Sequence, residues 1–323
     1  MGSVCLLHIG GTPIPIQLRA GDLRSERSKF RLDAEFIIFQ SLTGVAMGAN
    51  LFLLTAGLSL IFGVVSVVNF AHATFYMLAI YICYSLSLLL GANGYWVGFV
   101  IAPIVVGCLG GLSERFLFSR VYGRGHYPQI VVAMGLIFIL NDVFKLVWGT
   151  KPKLTDKPPF FDGGFAISGG ILANAQIFSI FVATLMAVAL YVFLSKTKSG
   201  KIVRAAAADP EITDALGIDV SRLYTIIFAF ACWLGGLGGA VAALQRLATL
   251  GGDMEIMLTA FIIVIVGGMG SILGSLAGSL IVGVINSLGI LVLPRFALVF
   301  LYILMILILV VRPYGLLGKP ELR

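Results

Sequence analysis

An all-α, polytopic integral membrane helical bundle is the fold class this sequence predicts, and three observations predict it. Of the 323 residues, 59% are hydrophobic and only 11% are charged, against about 25% charged in soluble domains. Mean hydropathy is +1.04. Apolar runs of about twenty residues recur from Phe36 onward, the length that crosses a hydrocarbon core of about 30 Å. The runs are continuous rather than alternating. Inside lipid every backbone group needs a partner within the protein, so continuous apolar segments are helices and not barrel strands.

Residues 1–35 stand apart. They carry Arg19, Arg24, Arg27, Lys29 and Arg31 with several prolines and glycines, and no apolar core of the kind a secretory signal needs. This segment is expected to be a disordered tail, or sequence upstream of the natural start. Residues 36–323 read as one transmembrane domain. Its apolar spans fall at 36–60, 68–90, 97–118, 129–148, 175–195, 222–245, 254–269, 271–293 and 296–312. Two long glycine-containing stretches, 36–90 and 254–293, leave room for broken or re-entrant helices. The expected number of transmembrane helices is therefore about eight to nine.

Charge gives the orientation. A net +7 would point to nucleic acid in a soluble chain, but here the basic residues gather in loops, as cytoplasmic loops do. Arg115, Arg120 and Arg124, then Lys196, Lys198, Lys201, Arg204 and Arg222, then Arg312, Lys319 and Arg323 mark three such loops. The 149–174 loop reads as external, because both of its neighbours are internal. Nine spans put the chain's start outside, which the basic tail opposes; with one span re-entrant the number is eight.

Catalytic chemistry has no visible parts. Cys5, Cys83, Cys108 and Cys232 form no CxxC pair, and His72 and His126 have no partner at metal-ligand spacing. No metal site, catalytic residue or bound cofactor is expected. Spans without rows of acids or arginines weigh against an ion-driven carrier.

Polar groups inside apolar sequence mark the candidate sites. In VVNFAHATFYM, 67–77, Asn69 and His72 lie three residues apart and would share a helix face, with Phe70, Thr74 and Tyr76 beside them. They either lock helices by hydrogen bonds or line a permeation path. Asn141, Asp142 and Lys145 are expected to reach the interface, and Asn286 to act as helix glue. Glycines four apart, such as Gly44 and Gly48 or Gly270, Gly274 and Gly278, predict close helix seams. GGMGS, with Gly267, Gly268, Gly270 and Ser271, falls between two apolar runs. It either turns the chain or breaks a helix where a substrate group binds.

The loop 196–221 does not have linker composition. Ile202 to Ala208 favours helix. Asp209 can cap a second helix that starts at Pro210 and ends at Leu216, before Gly217. A structured basic segment on the cytoplasmic face points to docking on a soluble partner. SGKIV, 199–203, lacks the upstream glycine and the following Ser or Thr of a P-loop, so ATP, if used, is bound by another subunit.

Five segments in order carry a resemblance: NFAHATFYM, ERFLFSRVYGR at 114–124, GKIVRAAAADPEITDALGID at 200–219, GGMGSILGSLAGSLIVG at 267–283 and RPYGLLGKPE at 312–321. Together they resemble the LivH-type permeases of bacterial and archaeal branched-chain amino acid ABC importers, over residues 36 to 323. The resemblance implies a prokaryotic cytoplasmic-membrane protein working with a second permease, two ATP-binding subunits and an extracytoplasmic binding protein. It also implies ATPase docking through Gly200, Arg204, Ala208, Asp209, Leu216 and Gly217. Ala73 stands where the family usually has Gly. The competing expectations are a self-sufficient carrier or channel, or an ABC permease for urea, short amides or simple sugars.

Overall fold

The computed structural model describes residues 4–9, 12–17, 34–67, 69–167 and 170–318. Most of the expected tail lies outside these residues. Within it, β1 (Val4–Ile9) and β2 (Thr12–Gln17) pair antiparallel.

Among the described residues, nine apolar helices form the bundle: α1 (Ala34–Val65), α2 (His72–Leu90), α3 (Gly94–Phe116), α4 (His126–Trp148), α5 (Asn174–Lys196), α8 (Val220–Ala242), α9 (Gly252–Gly267), α10 (Ile272–Val292) and α11 (Ala297–Val311). Two short helices, α6 (Lys198–Ala208) and α7 (Pro210–Ala215), fill the basic loop. Seven of the nine are long and apolar enough to cross a membrane unaided. The other two, α9 and α11, have 16 and 15 residues, which at 1.5 Å per residue is roughly 22–24 Å. A β3–β4 hairpin (Gly164–Ile167, Gly170–Ala173) sits in the long outer loop.

The centre is built from α1, α8 and α2. Of α1's apolar window 89% is buried, against 17% for α4 and 22% for α5. The outer helices therefore turn Leu146, Val131, Phe181 and Val188 to lipid, and glycines let the inner ones touch backbone to backbone. Against α10, Gly44 meets Gly283 and Val284, and Gly48 meets Ser279. Ser59 and Ser275 share a short hydroxyl hydrogen bond on the same seam. Between α3 and α8, Gly107 lies on Trp233 and Gly111 on Ala229.

These contacts fix direction. Asn50 donates to the Gly238 carbonyl at 3.0 Å and Gly57 abuts Ala231, so α1 runs antiparallel to α8. Because α8 leaves the basic α6–α7 loop, α1 starts on the opposite, outer face. Lys153 bridges Ala248, which puts the 149–174 loop on the face opposite the basic α6–α7 loop; the expected external side of that loop requires this placement.

Where α1 was expected to stop at 60, it continues to Val65. The second helix, expected from 68, begins only at His72. Ser66 takes φ +57°, a left-handed conformation that ends α1. The His72 ring then packs against Gly57, about 12 Å back along α1 from Val65 at the helical rise. The connecting chain re-enters the bundle, and Val67, Asn69 and Ala71 within it are fully buried. Such non-helical backbone is tolerated at membrane depth only inside protein.

Candidate functional site

Asn69 belongs to this re-entrant stretch and not to a helix, so the expected shared helix face with His72 is corrected. Its Oδ1 accepts from the Ala71 amide at 3.0 Å, an Asx-type turn that starts α2. Its amide Nδ2 is buried without a partner among the described residues. Phe70 packs against Phe261 of α9 as a tilted ring pair, with centroids 4.8 Å apart. His72 fills a slot that two glycines leave open: Nε2 lies 3.2 Å from the Leu54 carbonyl, its ring abuts Gly57 and Gly235, and Nδ1 is 3.9 Å from Cys232 Sγ. One turn on, the Tyr76 hydroxyl donates to Asn50 Oδ1 at 2.8 Å. Asn50 in turn holds the Gly238 carbonyl. His72, Tyr76 and Asn50 thus tie α1, α2 and α8 together from within.

GGMGS is a turn between helices at the end of α9. Gly268 at φ +104° and Gly270 at φ +78° take backbone conformations that L side chains rarely adopt. Gly270 lies on Gly63 of α1, and Gly268 on Gly318 and the Tyr314 carbonyl. Leu316 and Leu317 donate backbone hydrogen bonds to Val266 and Gly267 at 2.9 and 3.0 Å. Ser271 caps α10 by accepting from the Gly274 amide. The turn therefore sits at the same end of the bundle as the basic α6–α7 loop, clasped by the chain's RPYGLLG segment. The eight residues expected along one path divide into a buried junction (Asn69, Phe70, His72, Tyr76) and this turn.

The basic loop folds as its capping residues predict. Thr197 caps α6 by accepting from the Gly200 amide at 3.0 Å. Asp209 Oδ1 accepts from the Ile212 amide at 3.0 Å, with Pro210 first in α7. Gly217 follows at φ +87°, and Ile218 bonds back to Thr213. Gly200, Val203, Ala206 and Thr213 are buried; Gly200 lies on Phe193 and Leu194 of α5, and α6 also packs on α1. Arg204, Ala208, Ile212 and Leu216 face outward, the last two 60% and 74% exposed.

Residues 41–309 match the family described as the branched-chain amino acid transport system permease component. The chain belongs to that family. Among its curated relatives, LivH of Salmonella typhimurium, a high-affinity branched-chain amino acid transport permease, is 27% identical over 90% of this chain and 99% of its own. BraD of Pseudomonas aeruginosa is 27% identical over 87% and 96%. A probable LivH of Methanocaldococcus jannaschii is 30% identical over 86% and 91%.

Sequence reasoning missed several of this permease's polar anchors. Asp253, 3% exposed, accepts from Thr74 at 2.6 Å and from Asn141 at 2.9 Å; Asn141 thus turns inward instead of reaching the interface. Glu114, 1% exposed, accepts from Tyr122 at 2.9 Å and Thr225 at 2.5 Å. Burial and the Glu114 charge hold the Tyr122 hydroxyl well above its usual pKa. At the end away from the basic loop, Asn50 and Arg246 line a small cleft of about 40 Å3 with Met47, Leu51, Ala242 and Gln245. The available signal was a polar residue alone in, or at the edge of, an apolar run.

Proposed function

We propose that this permease component is the membrane-crossing subunit of an ATP-driven importer for branched-chain or related small amino acids. In this reading ATP is bound by two separate subunits. A second, similar permease completes the membrane portion, and a binding protein delivers substrate at the outer face of a prokaryotic cytoplasmic membrane. The observation that carries it is the α6–α7 platform. It is capped at both helix starts, packs on α1 and, at Gly200, on the end of α5, and presents Arg204, Ala208, Ile212 and Leu216 outward. Exposed apolar side chains on a rigid cytoplasmic element suit a protein partner, and α1 connects that element to the re-entrant junction.

A force applied at α6–α7 reaches α1 first. There the glycine seams offer sliding surfaces without interlocked side chains, and α1 ends in the non-helical segment 66–71. Alternating access by rocking of helices along these seams fits this construction. The names of the relatives support the amino-acid substrate. Tagged permease expressed with its neighbouring genes is expected to bring down an ATP-binding subunit, and the reconstituted complex to accumulate leucine, isoleucine or valine only with ATP. Uptake by the purified chain alone, driven by an ion gradient, would replace this reading with a secondary carrier.

A further inference from the structure

We propose that the outer cleft between α1 and the end of α8 recognises the carboxylate of the incoming amino acid, with Arg246 as its cationic partner. This rests on the amino-acid importer reading and names the part of the substrate that this chain would hold.

Arg246 follows the end of α8 on the outer face, beside the Lys153–Ala248 bridge. It is half-buried, and among the described residues no carboxylate lies within 4.0 Å of it; the one ion pair there, Arg222–Asp219, is on the opposite face. A guanidinium presents a planar fork that matches a carboxylate with two parallel hydrogen bonds. Partial burial strengthens such a pair by keeping water and salt away from it.

The rest of the lining supplies what a zwitterion with an aliphatic side chain needs. Gln245 is held by its amide nitrogen, which donates to Ser179 Oγ at 2.6 Å and the Ala175 carbonyl at 3.2 Å. Its Oε1 remains as an acceptor for an ammonium group. Asn50 has both ends engaged, with Gly238 and Tyr76, and forms a fixed wall. Met47, Leu51 and Ala242 make the apolar side, with Met47 Sδ 3.3 Å from the Asn286 amide. The cleft is small, about 40 Å3, well under the roughly 300–1,000 Å3 of sites that enclose a whole small molecule. It has room for the carboxylate end of a solute, with the remainder extending from its open side. A carboxylate on the binding protein would offer the same chemistry, but Arg246 sits recessed beside Asn50, which is only 6% exposed.

The test uses the assembled transporter in nanodiscs without binding protein, and L-leucine as the probe. Saturable binding is expected. 4-Methylpentanoate, which keeps the carboxylate, should compete, and 3-methylbutylamine, which lacks it, should be at least tenfold weaker. Arg246→Gln should weaken leucine binding at least tenfold, and Arg246→Lys less. Equal competition by the amine, unchanged binding by Arg246→Gln, or no saturable binding to the wild type would overturn the proposal. The competition arm decides even if a variant fails to assemble. A loss confined to stimulation by the binding protein, with leucine binding intact, assigns Arg246 to a carboxylate on that protein and also overturns it. In the complete ATP-driven system, normal leucine uptake by Arg246→Gln sinks the cleft alone. Absence of leucine, isoleucine and valine uptake by the wild type sinks the importer reading.

Discussion

The Thr74 hydroxyl donates to the Asp253 carboxylate at 2.6 Å across 179 residues of sequence, and Asn141 donates to the same oxygen at 2.9 Å. Three helices, α2, α4 and α9, therefore converge on one buried acid in the first turn of α9. There the helix amides also favour negative charge. Removing the acid strands two buried donors, at about 1–3 kcal/mol for each unsatisfied group. Asp253→Ala is expected to lower the thermal midpoint of the detergent-solubilised protein clearly, and Thr74→Val to add little once Asp253 is gone. Independent, additive losses in that double-mutant cycle would show that the two side chains do not act together.

That cluster also shows where sequence reasoning stops. The apolar runs announce eight to nine helices because a twenty-residue apolar segment has few alternatives in lipid. The cytoplasmic loop was legible in detail because its signals are local: Asp209 before Pro210 and Gly217 after Leu216 act within a few residues. Asp253 and Glu114 give no such local signal: Thr74, Asn141 and Thr225, which they bind, lie more than a hundred residues away, and Tyr122, eight residues from Glu114, is beyond the end of its helix. Asn69 was placed on a helix because the apolar pattern runs unbroken through Val67 and Phe70. Only the positive φ of Ser66 reveals that the backbone has left the helix and turned back.

His72 is the keystone of the junction and not a free lining group. Its ring occupies the space that Gly57 and Gly235 leave, and it is fully buried. Replacing it with Ala leaves a void where three helices meet, and large-to-small changes in cores cost about 2–5 kcal/mol. His72→Ala should reduce the recovered folded protein and its thermal midpoint, while uptake per folded molecule changes less than twofold. Uptake that collapses at unchanged stability would return His72 to the permeation path.

The outward face of α7 can be tested without disturbing the bundle. Leu216 is 74% exposed and Ile212 60%, so a charge at either costs the isolated chain little. Leu216→Glu should abolish copurification with the ATP-binding subunit and ATP-dependent uptake while membrane levels stay unchanged. Gly217→Val acts differently: at φ +87° a branched side chain is strained by about 1–2 kcal/mol, which loosens the end of α7 and should weaken coupling only partially. Retained copurification of Leu216→Glu would remove α7 from the contact.

The glycine seam between α1 and α10 gives the sharpest contrast between positions of one residue type. A Cβ added at Gly283 would run into the backbone of Gly44 and Gly48, and one at Gly48 into the Ser279 carbonyl. Neither obstacle is the flexible end of a side chain, so both helices would have to separate. Gly135 in α4 has nothing within 4 Å of its added Cβ, and α4 lies on the lipid-facing side of the bundle. Gly283→Leu should therefore cost at least the 1–3 kcal/mol typical of overpacking, roughly, and deplete the protein from the membrane. Gly135→Leu, the same substitution in a helix of similar hydropathy, should leave membrane levels, thermal midpoint and uptake within error of wild type. If rocking along this seam carries transport, Gly44→Ala, a smaller insult against the Val284 backbone, should slow uptake more than it lowers the thermal midpoint. Equal tolerance of leucine at Gly283 and Gly135 would mean that the seam opens freely, and the close approach of α1 to α10 would then have no part in holding the bundle together.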